Sequence, residues 1–261
     1  MEKQNKFEKI GFLSSGTKQA NKAKQEFQKL YGKIAIENAD VVVALGGDGL
    51  MLQTLHRMMN TDIPIYGVNY GTLGFLMNAE GRFEDLLHKL QNAETTIIHP
   101  LLMQVEDENG EIHSARAINE VSLLRQSHQA AKLSVSIDNR VRLEELVCDG
   151  ILVATPAGST AYNLSAHGPI LPINAPMLAL TPISPYRPRR WRGALLPSSA
   201  KVEINVINLQ KRPVNVAADN FEIRNIRKVI INEDKTSSMH MMFDPGHSLE
   251  ERILNEQFYE G

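Results

Sequence analysis

The chain of 261 residues carries 28 Lys plus Arg against 30 Asp plus Glu, a formal charge of −2, with 43% apolar and 22% charged residues. That composition is ordinary for a globular protein able to bury one large or two modest cores without disulfide or zinc staples, and its near-neutral charge excludes a broad field for nucleic acid or an anionic membrane. One cysteine (Cys148), no apolar signal-type run after Met-Glu-Lys-Gln-Asn-Lys, and a longest strictly apolar run of only Val41 to Leu45 lead us to expect a cytoplasmic protein with no membrane partner and no disulfide.

The first hundred residues alternate short apolar β-like runs with amphipathic helical patterns, the grammar of a parallel sheet with covering helices. Lys9 to Leu13 reads as a strand, followed by the polar turn Ser14 to Thr17 and a helix with Ala20, Ala23, Phe27 and Leu30 on one face. Asp40 to Leu45 is a second strand; its Val-Val-Val centre lacks polar alternation, so both faces should be covered. It runs into Gly46-Gly47-Asp48-Gly49 and a helix with Met51, Leu52, Leu55 and Met58 inward. Pro64 to Val68 is a third strand, leading through Asn69-Tyr70-Gly71-Thr72-Leu73-Gly74 to Phe75 and a helix carrying Phe83, Leu86, Leu87 and Leu90.

After about Ile98, β-rich segments joined by short turns take over. Leu102 to Val105 and Ile112 to Ala117 flank Asn109-Gly110, a two-residue hairpin signal, and Leu133 to Ile137 and Val141 to Leu146 flank Asp138-Asn139-Arg140. Gly150 to Ala154, Val202 to Ile207, Val214 to Ala218 and Phe221 to Ile231 are further β-runs. The expected fold is an α/β domain with a Rossmann-like parallel sheet over 1–98, then a β-rich sandwich-like domain over 99–235. The C-terminal segment 236–261, helical from Ser248 to Phe258, is expected to pack back on the first domain.

Glycines at the C-terminal end of a parallel strand leave room for a phosphate to approach the backbone N–H groups of the next helix, although a tight turn is the plainer reading of a glycine pair. Asp48 favours the first reading: a carboxylate among phosphate-accepting amides repels the phosphate unless it has a task, such as taking a proton from an attacking hydroxyl or organising magnesium. Walker-type and protein-kinase signatures are absent, and Gly47-Asp48-Gly49-Leu50-Met51-Leu52 fails the dinucleotide fingerprint at its third glycine, which counts against hydride transfer.

Thr155-Pro156-Ala157-Gly158-Ser159-Thr160-Ala161-Tyr162-Asn163 reads equally as a ligand-facing segment of amides, hydroxyls and one aromatic ring, or as a capped helix start with a packed tyrosine. It is no hydrolase elbow, because Ser159 lacks the G-x-S-x-G frame and a nearby base. Asn119-Glu120 and Asp149 place polar groups in β-like runs, where each needs a protein partner, solvent, or the hydroxyls of a ligand such as ribose. The eight histidines show no paired metal-ligand spacing.

Taken in order, Gly46-Gly47-Asp48-Gly49, Asn69 to Phe75, Asn119-Glu120, Asp149-Gly150 and Thr155 to Tyr162 resemble the motif set of bacterial NAD kinases, from the first strand to about Asp219. The resemblance implies transfer of the γ-phosphoryl group of ATP, or phosphoryl from polyphosphate, to the 2′-hydroxyl of the adenosine ribose of NAD. It also implies a divalent metal (Mg2+) held mainly by the nucleotide phosphates, and a homodimer or homotetramer. Carried over, Asp48 is the catalytic base, and Gly46, Gly47 and Gly49 line the donor phosphates. Asp48 and Gly49 also touch NAD, Asn119 and Glu120 hold the adenosine ribose, and Phe75, Ala157, Ser159, Thr160, Ala161, Tyr162 and Ser165 line the adenine and nicotinamide subsites. Asp149 reaches NAD across a subunit interface, and Asp219 is a weaker candidate.

Two features depart from the family pattern. Leu50 stands where Thr or Ser often follows the Gly-Gly-Asp-Gly turn, which leaves donor choice open, and Tyr186-Arg187-Pro188-Arg189-Arg190-Trp191-Arg192 is a basic run suited to a solvated loop, donor phosphates or a neighbouring subunit. The rival readings are a lipid or sphingoid-base kinase of the same two-domain plan and a non-catalytic NAD-binding sensor. The hydroxyl-rich Gly158 to Tyr162 segment counts against the first, and Asp48 against the second.

Overall fold

A computed structural model of the chain describes residues 7–71 and 74–246. Two compact units emerge, Met1–Ile98 with Ser237–Gly261, and His99–Thr236. The helix expected from Ser248 to Phe258 lies outside the described residues, as do Thr72 and Leu73.

The first unit alternates β1 (Ile10–Ser14), α1 (Lys18–Tyr31), β2 (Val41–Gly46), α2 (Asp48–Met58), β3 (Ile65–Asn69), α3 (Leu86–Asn92) and β4 (Glu94–Ile98). Every residue of β2 is buried, as its unbroken apolar run demands. Val41, Val43 and Leu45 share a core with Phe12 of β1, Tyr66 of β3, Phe27 of α1 and Leu86 and Leu90 of α3. The rings of Phe12 and Phe27 stack at 5.5 Å, and Phe83 meets Phe27 edge-on at 4.7 Å. Helix α1 starts where the Thr17 hydroxyl accepts from the Ala20 N–H, and its buried stripe runs Ala20, Ala23, Phe27 and then Tyr31; Leu30, expected inward, is 55% exposed. One extra residue of rotation lets the Tyr31 hydroxyl donate to the Phe83 carbonyl at 2.6 Å. Phe83 itself sits in a 3-10 turn ahead of α3.

The second unit is built from β5 (Leu101–Asp107), β6 (Ile112–Ala117), β7 (Glu120–Arg125), β8 (Ala131–Ile137), β9 (Arg140–Cys148), β10 (Gly150–Ala154), the short α4 (Tyr162–Ser165), β11 (Met177–Ile183), β12 (Ala194–Pro197), β13 (Val202–Val206), β14 (Val214–Ala218), β15 (Phe221–Ile223) and β16 (Ile226–Glu233). These form two six-stranded sheets, β12-β11-β10-β7-β14-β15 and β6-β5-β16-β13-β8-β9, antiparallel throughout. Leu101, Met103 and Val105 from one and Val121, Leu123, Ile151 and Val153 from the other enter a single core, which makes a sandwich.

The turn chemistry refines two expectations. Asp138 and Asn139 both take left-handed φ, 51° and 62°, and make a two-residue turn, whereas the β5–β6 hairpin closes at Asp107–Glu111 with Gly110 at φ 85°. The run expected from Phe221 to Ile231 breaks into β15 and β16 at Asn225, φ 53°. After β16 the chain returns to the first unit as β17 (Met239–Phe243), parallel to β3 and antiparallel to β4, which gives the order β1-β2-β3-β17-β4. Among the described residues no helix is long and apolar enough to cross a membrane.

Leu123 is fully buried at the centre of β7 between β10 and β14. Leu123→Ala should cost about 2–5 kcal/mol through lost transfer energy and the cavity left behind; the check is the urea midpoint of the sandwich transition followed by near-UV circular dichroism.

Candidate functional site

In the first unit, β2 ends at Gly46 and α2 begins at Asp48, capped by Gly47 in extended conformation. None of Gly46, Gly47 and Gly49 has positive φ, so backbone handedness does not explain the cluster. Gly46 is required by contact: a Cβ there would lie 2.8 Å from the Leu50 side chain and 2.9 Å from Ser15. At Gly49 a Cβ would meet open space, so this side of the turn is bare backbone. The first N–H groups of α2 have no acceptor within the helix and sit at the positive end of its dipole, a surface suited to anions.

Asp48 is half-buried in the first turn of α2. Its Oδ2 accepts from the Phe75 N–H and its Oδ1 from the Leu76 N–H, each at 2.9 Å. The carboxylate thereby pins the segment after Gly74 beside the glycine turn. These amides take two of the roughly four acceptor positions of an ionised carboxylate. Phe75 is half-buried, and Leu50, in place of a hydroxyl residue, packs over Gly46.

In the second unit, Glu120 opens β7 directly across from Ala154 at the end of β10, so the sheet register sets Asn119-Glu120 beside the segment that starts at Thr155. The Thr155 N–H donates to the Asn119 carbonyl at 2.9 Å, its hydroxyl to the Ile118 carbonyl at 2.6 Å, and the Gly158 N–H to the Thr155 hydroxyl at 3.0 Å. Gly158 is obligatory here, because a Cβ would stand 2.1 Å from the Asn119 carbonyl oxygen. From the other side Asp219, at φ 49°, accepts from the N–H groups of Ile118 (2.7 Å), Asn119 (3.0 Å) and Glu120 (3.4 Å). Asp219 therefore acts on the backbone of the Asn119-Glu120 pair.

The side chains so placed are left wanting. Asn119 Oδ1 and Glu120 Oε2 are buried without a partner among the described residues, a situation that costs about 1–3 kcal/mol per group unless a ligand supplies the donor. Burial, reinforced by the negative charge of Asp219, pushes the Glu120 carboxyl up to about 7. The Tyr162 hydroxyl is likewise raised, by burial first and then by Glu120 and Asp149, so these three groups share one neighbourhood. Asp149, at the β9–β10 corner, accepts from Arg125 Nε at 2.6 Å. No sequence signal connects Arg125 to Asp149; only the pairing of β7 with β10 brings them together.

The remainder of the hydroxyl-rich segment divides into scaffold and surface. Ser159 is fully buried; its hydroxyl donates to the Pro156 carbonyl at 2.7 Å and accepts from the Leu171 N–H at 3.0 Å, so the side chain is occupied internally. Asn163, equally buried, donates to the carbonyls of Ser159 (3.1 Å) and Pro169 (2.8 Å) and accepts from the Thr181 hydroxyl at 2.6 Å. This internal lattice fixes the turn from Ala157 to Tyr162, in which Ala157 is buried and Thr160 and Ala161 are half-buried; Ser165 follows, exposed. Among the described residues, Asp107, Glu111 and His113 come within metal-ligand distance of one another, but Asp107 already accepts from the Asn109 and Glu111 N–H groups and contacts His113 Nε2 at 3.0 Å, which is hairpin closure.

Residues 1–98 match the ATP-NAD kinase N-terminal domain family and residues 118–229 the ATP-NAD kinase C-terminal domain family. An NAD kinase of Caulobacter vibrioides is 56% identical over 250 residues, covering 96% of each chain, and one of Rhizobium meliloti is 53% identical over 253 residues, covering 97% of this chain and 98% of that one. Among solved structures, a yeast NADH kinase complexed with NADH superposes with a TM-score of 0.81 at 23% identity, covering 97% of this chain and 88% of that one. An Archaeoglobus fulgidus NAD kinase in complex with ATP gives 0.75 at 21%, covering 92% and 96%. At those identities the structural matches speak for the fold.

Because the folded protein holds the Glu120 proton more tightly than the unfolded chain, stability should fall as pH rises from about 4.5 to about 7 and level off above it. Glu120→Gln should remove that fall and raise stability at pH 8 by on the order of 2 kcal/mol while leaving pH 4 nearly unchanged. Thermal melts of both proteins across this range test it, and parallel curves would count against the buried charge.

Proposed function

The chain belongs to the NAD kinase family, whose members transfer a phosphoryl group to a hydroxyl, and we propose that it moves the γ-phosphoryl group of ATP to the 2′-hydroxyl of the adenosine ribose of NAD, forming NADP. The observation that carries this reading is the pair of buried, unpartnered acceptors, Asn119 Oδ1 and Glu120 Oε2. A ribose diol offers two hydroxyl donors, and an apolar lipid chain offers none. The complexes of related folds with ATP and with NADH support a nucleotide donor and a dinucleotide acceptor. Polyphosphate is the second donor reading, since Leu50 in place of a hydroxyl residue leaves the donor choice open.

In this mechanism Asp48 accepts the 2′-hydroxyl proton as the ribose oxygen bonds to the γ-phosphorus and the bond to the ADP oxygen breaks. The bare backbone at Gly49 and the N-terminus of α2, with Gly47 as its cap, hold the donor phosphates, and Gly46 keeps the strand end narrow. Asn119 and Glu120 fix the ribose, Asp219 fixes them, and Tyr162, Thr160, Ala161 and Phe75 offer surfaces to the rings. The donor turn offers one carboxylate, Asp48, which suits a magnesium ion that would be held mainly by the nucleotide phosphates and would supply neutralisation of their charge. We place the chain in a homo-oligomer, with Asp149, oriented by Arg125, serving the NAD of a neighbouring subunit.

The direct test is NADP formation from NAD, magnesium and ATP, read with an NADP-specific dehydrogenase, with polyphosphate replacing ATP in parallel. Asp48→Asn should lower kcat by at least about a thousandfold with NAD affinity nearly kept. It should also melt slightly lower, since an amide leaves one of the Phe75 and Leu76 N–H groups unmatched. Near-normal turnover would overturn the base assignment. Asp149→Ala should raise KM for NAD about tenfold, some 1.4 kcal/mol, with the fold intact by circular dichroism; an unchanged KM removes Asp149 from the site.

A further inference from the structure

The basic run after β11 takes no part in the reaction described above, yet it forms the wall of a cavity. A cavity of about 500 Å³ in the second unit is lined by Arg187 and Arg189 from the β11–β12 loop, Arg212 ahead of β14, Lys132 of β8, Glu145 of β9 and Gln129. The loop is anchored there by the backbone: the Tyr186 N–H donates to the Val147 carbonyl at 2.7 Å, and the Val147 N–H to the Arg187 carbonyl at 2.8 Å. Arg212 is oriented by a bond from its guanidinium to the Ala130 carbonyl. Lys132 is paired with Glu145 at 2.8 Å.

Four cations therefore face one carboxylate, and among the described residues no carboxylate pairs with Arg187, Arg189 or Arg212. Like charges gathered around one cavity repel one another, so the arrangement is unfavourable until an anion enters. Gln129 adds a buried amide oxygen with no partner among the described residues; because the two amide orientations are nearly isosteric, the flipped amide presents an N–H group at the same place. Guanidinium forks match phosphoryl oxygens two at a time, and a cavity of this size accommodates several phosphoryl groups in a chain.

We propose that this cavity is a second anion site, distinct from the donor turn, that binds an oligophosphate chain, with Arg187 and Arg189 as its forks and Arg212 and Lys132 as supporting charges. The ligand is either free polyphosphate or the phosphate tail of a nucleotide. None of these residues belongs to the set assigned to NAD or to the transferred phosphoryl group, so the site stands or falls independently of the kinase mechanism.

The experiment titrates the full-length protein with tripolyphosphate in metal-free buffer by calorimetry. The expected result is saturable binding, weakened at least tenfold in the double variant Arg187→Ala/Arg189→Ala. Arg187→Lys/Arg189→Lys should fall between, because Lys keeps the charge and loses the fork. These side chains are exposed, so unchanged circular dichroism and melting should accompany the loss. For the part of the binding that the alanine double variant loses, displacement by ADP identifies a nucleotide tail as the ligand, and failure of ADP to compete identifies free polyphosphate. Absence of saturable binding, or the same Kd in wild type and the alanine double variant, overturns the site, and ATP-dependent NADP formation, assayed separately, is decided by neither result.

Discussion

Three backbone N–H groups, those of Ile118, Asn119 and Glu120, converge on the Asp219 carboxylate, and much of the acceptor half depends on that convergence. Residues at a strand entrance ordinarily lack ladder partners and drift; here a charged acceptor holds them, and charge-assisted bonds of this kind are the stronger class. The opposite flank of the same segment is closed by Thr155 and Gly158. With the backbone held on both sides, the Asn119 and Glu120 side chains cannot relax toward protein partners. Their unmet acceptors are thus built in, and the cost is borne by the sandwich core beneath.

The donor half solves a different problem with similar means. A helix N-terminus attracts anions, and the turn before it must stay narrow enough for backbone to be the contacting surface. Gly46 makes the strand end narrow, Gly49 leaves a face bare, and Asp48 ties α2 to the amides of Phe75 and Leu76. A carboxylate in that position serves structure, and in the proposed reaction it also takes the proton. The same logic of surplus polar groups awaiting a ligand holds at the Arg187–Arg189 cavity, where unpaired cations take the place of unpaired acceptors.

Much of the fold was legible in the sequence, because β2, α2, β10 and the hairpins each declare themselves within a dozen consecutive residues through apolar periodicity and turn chemistry. The glycine turn and the hydroxyl-rich segment are legible for the same reason, being contiguous. What periodicity leaves open is fine rotation: Tyr31 rather than Leu30 closes the α1 stripe because an aromatic ring and a carbonyl from elsewhere in the chain were waiting for it. It also leaves open breaks that a single residue enforces, as Asn225 does between β15 and β16.

Sequence alone determined the class of architecture, an α/β unit with a glycine turn and a β-rich unit, and through its ordered motifs the family, since these follow from local pattern and spacing. Tertiary structure decided which groups meet: β17 between β3 and β4, Arg125 on Asp149, Asp219 beneath Asn119 and Glu120, Ser159 turned inward, and distant cations around one cavity. Local pattern records only whether a side chain prefers water or core; strand order and register, set by burying the whole apolar surface at once, determine its neighbours.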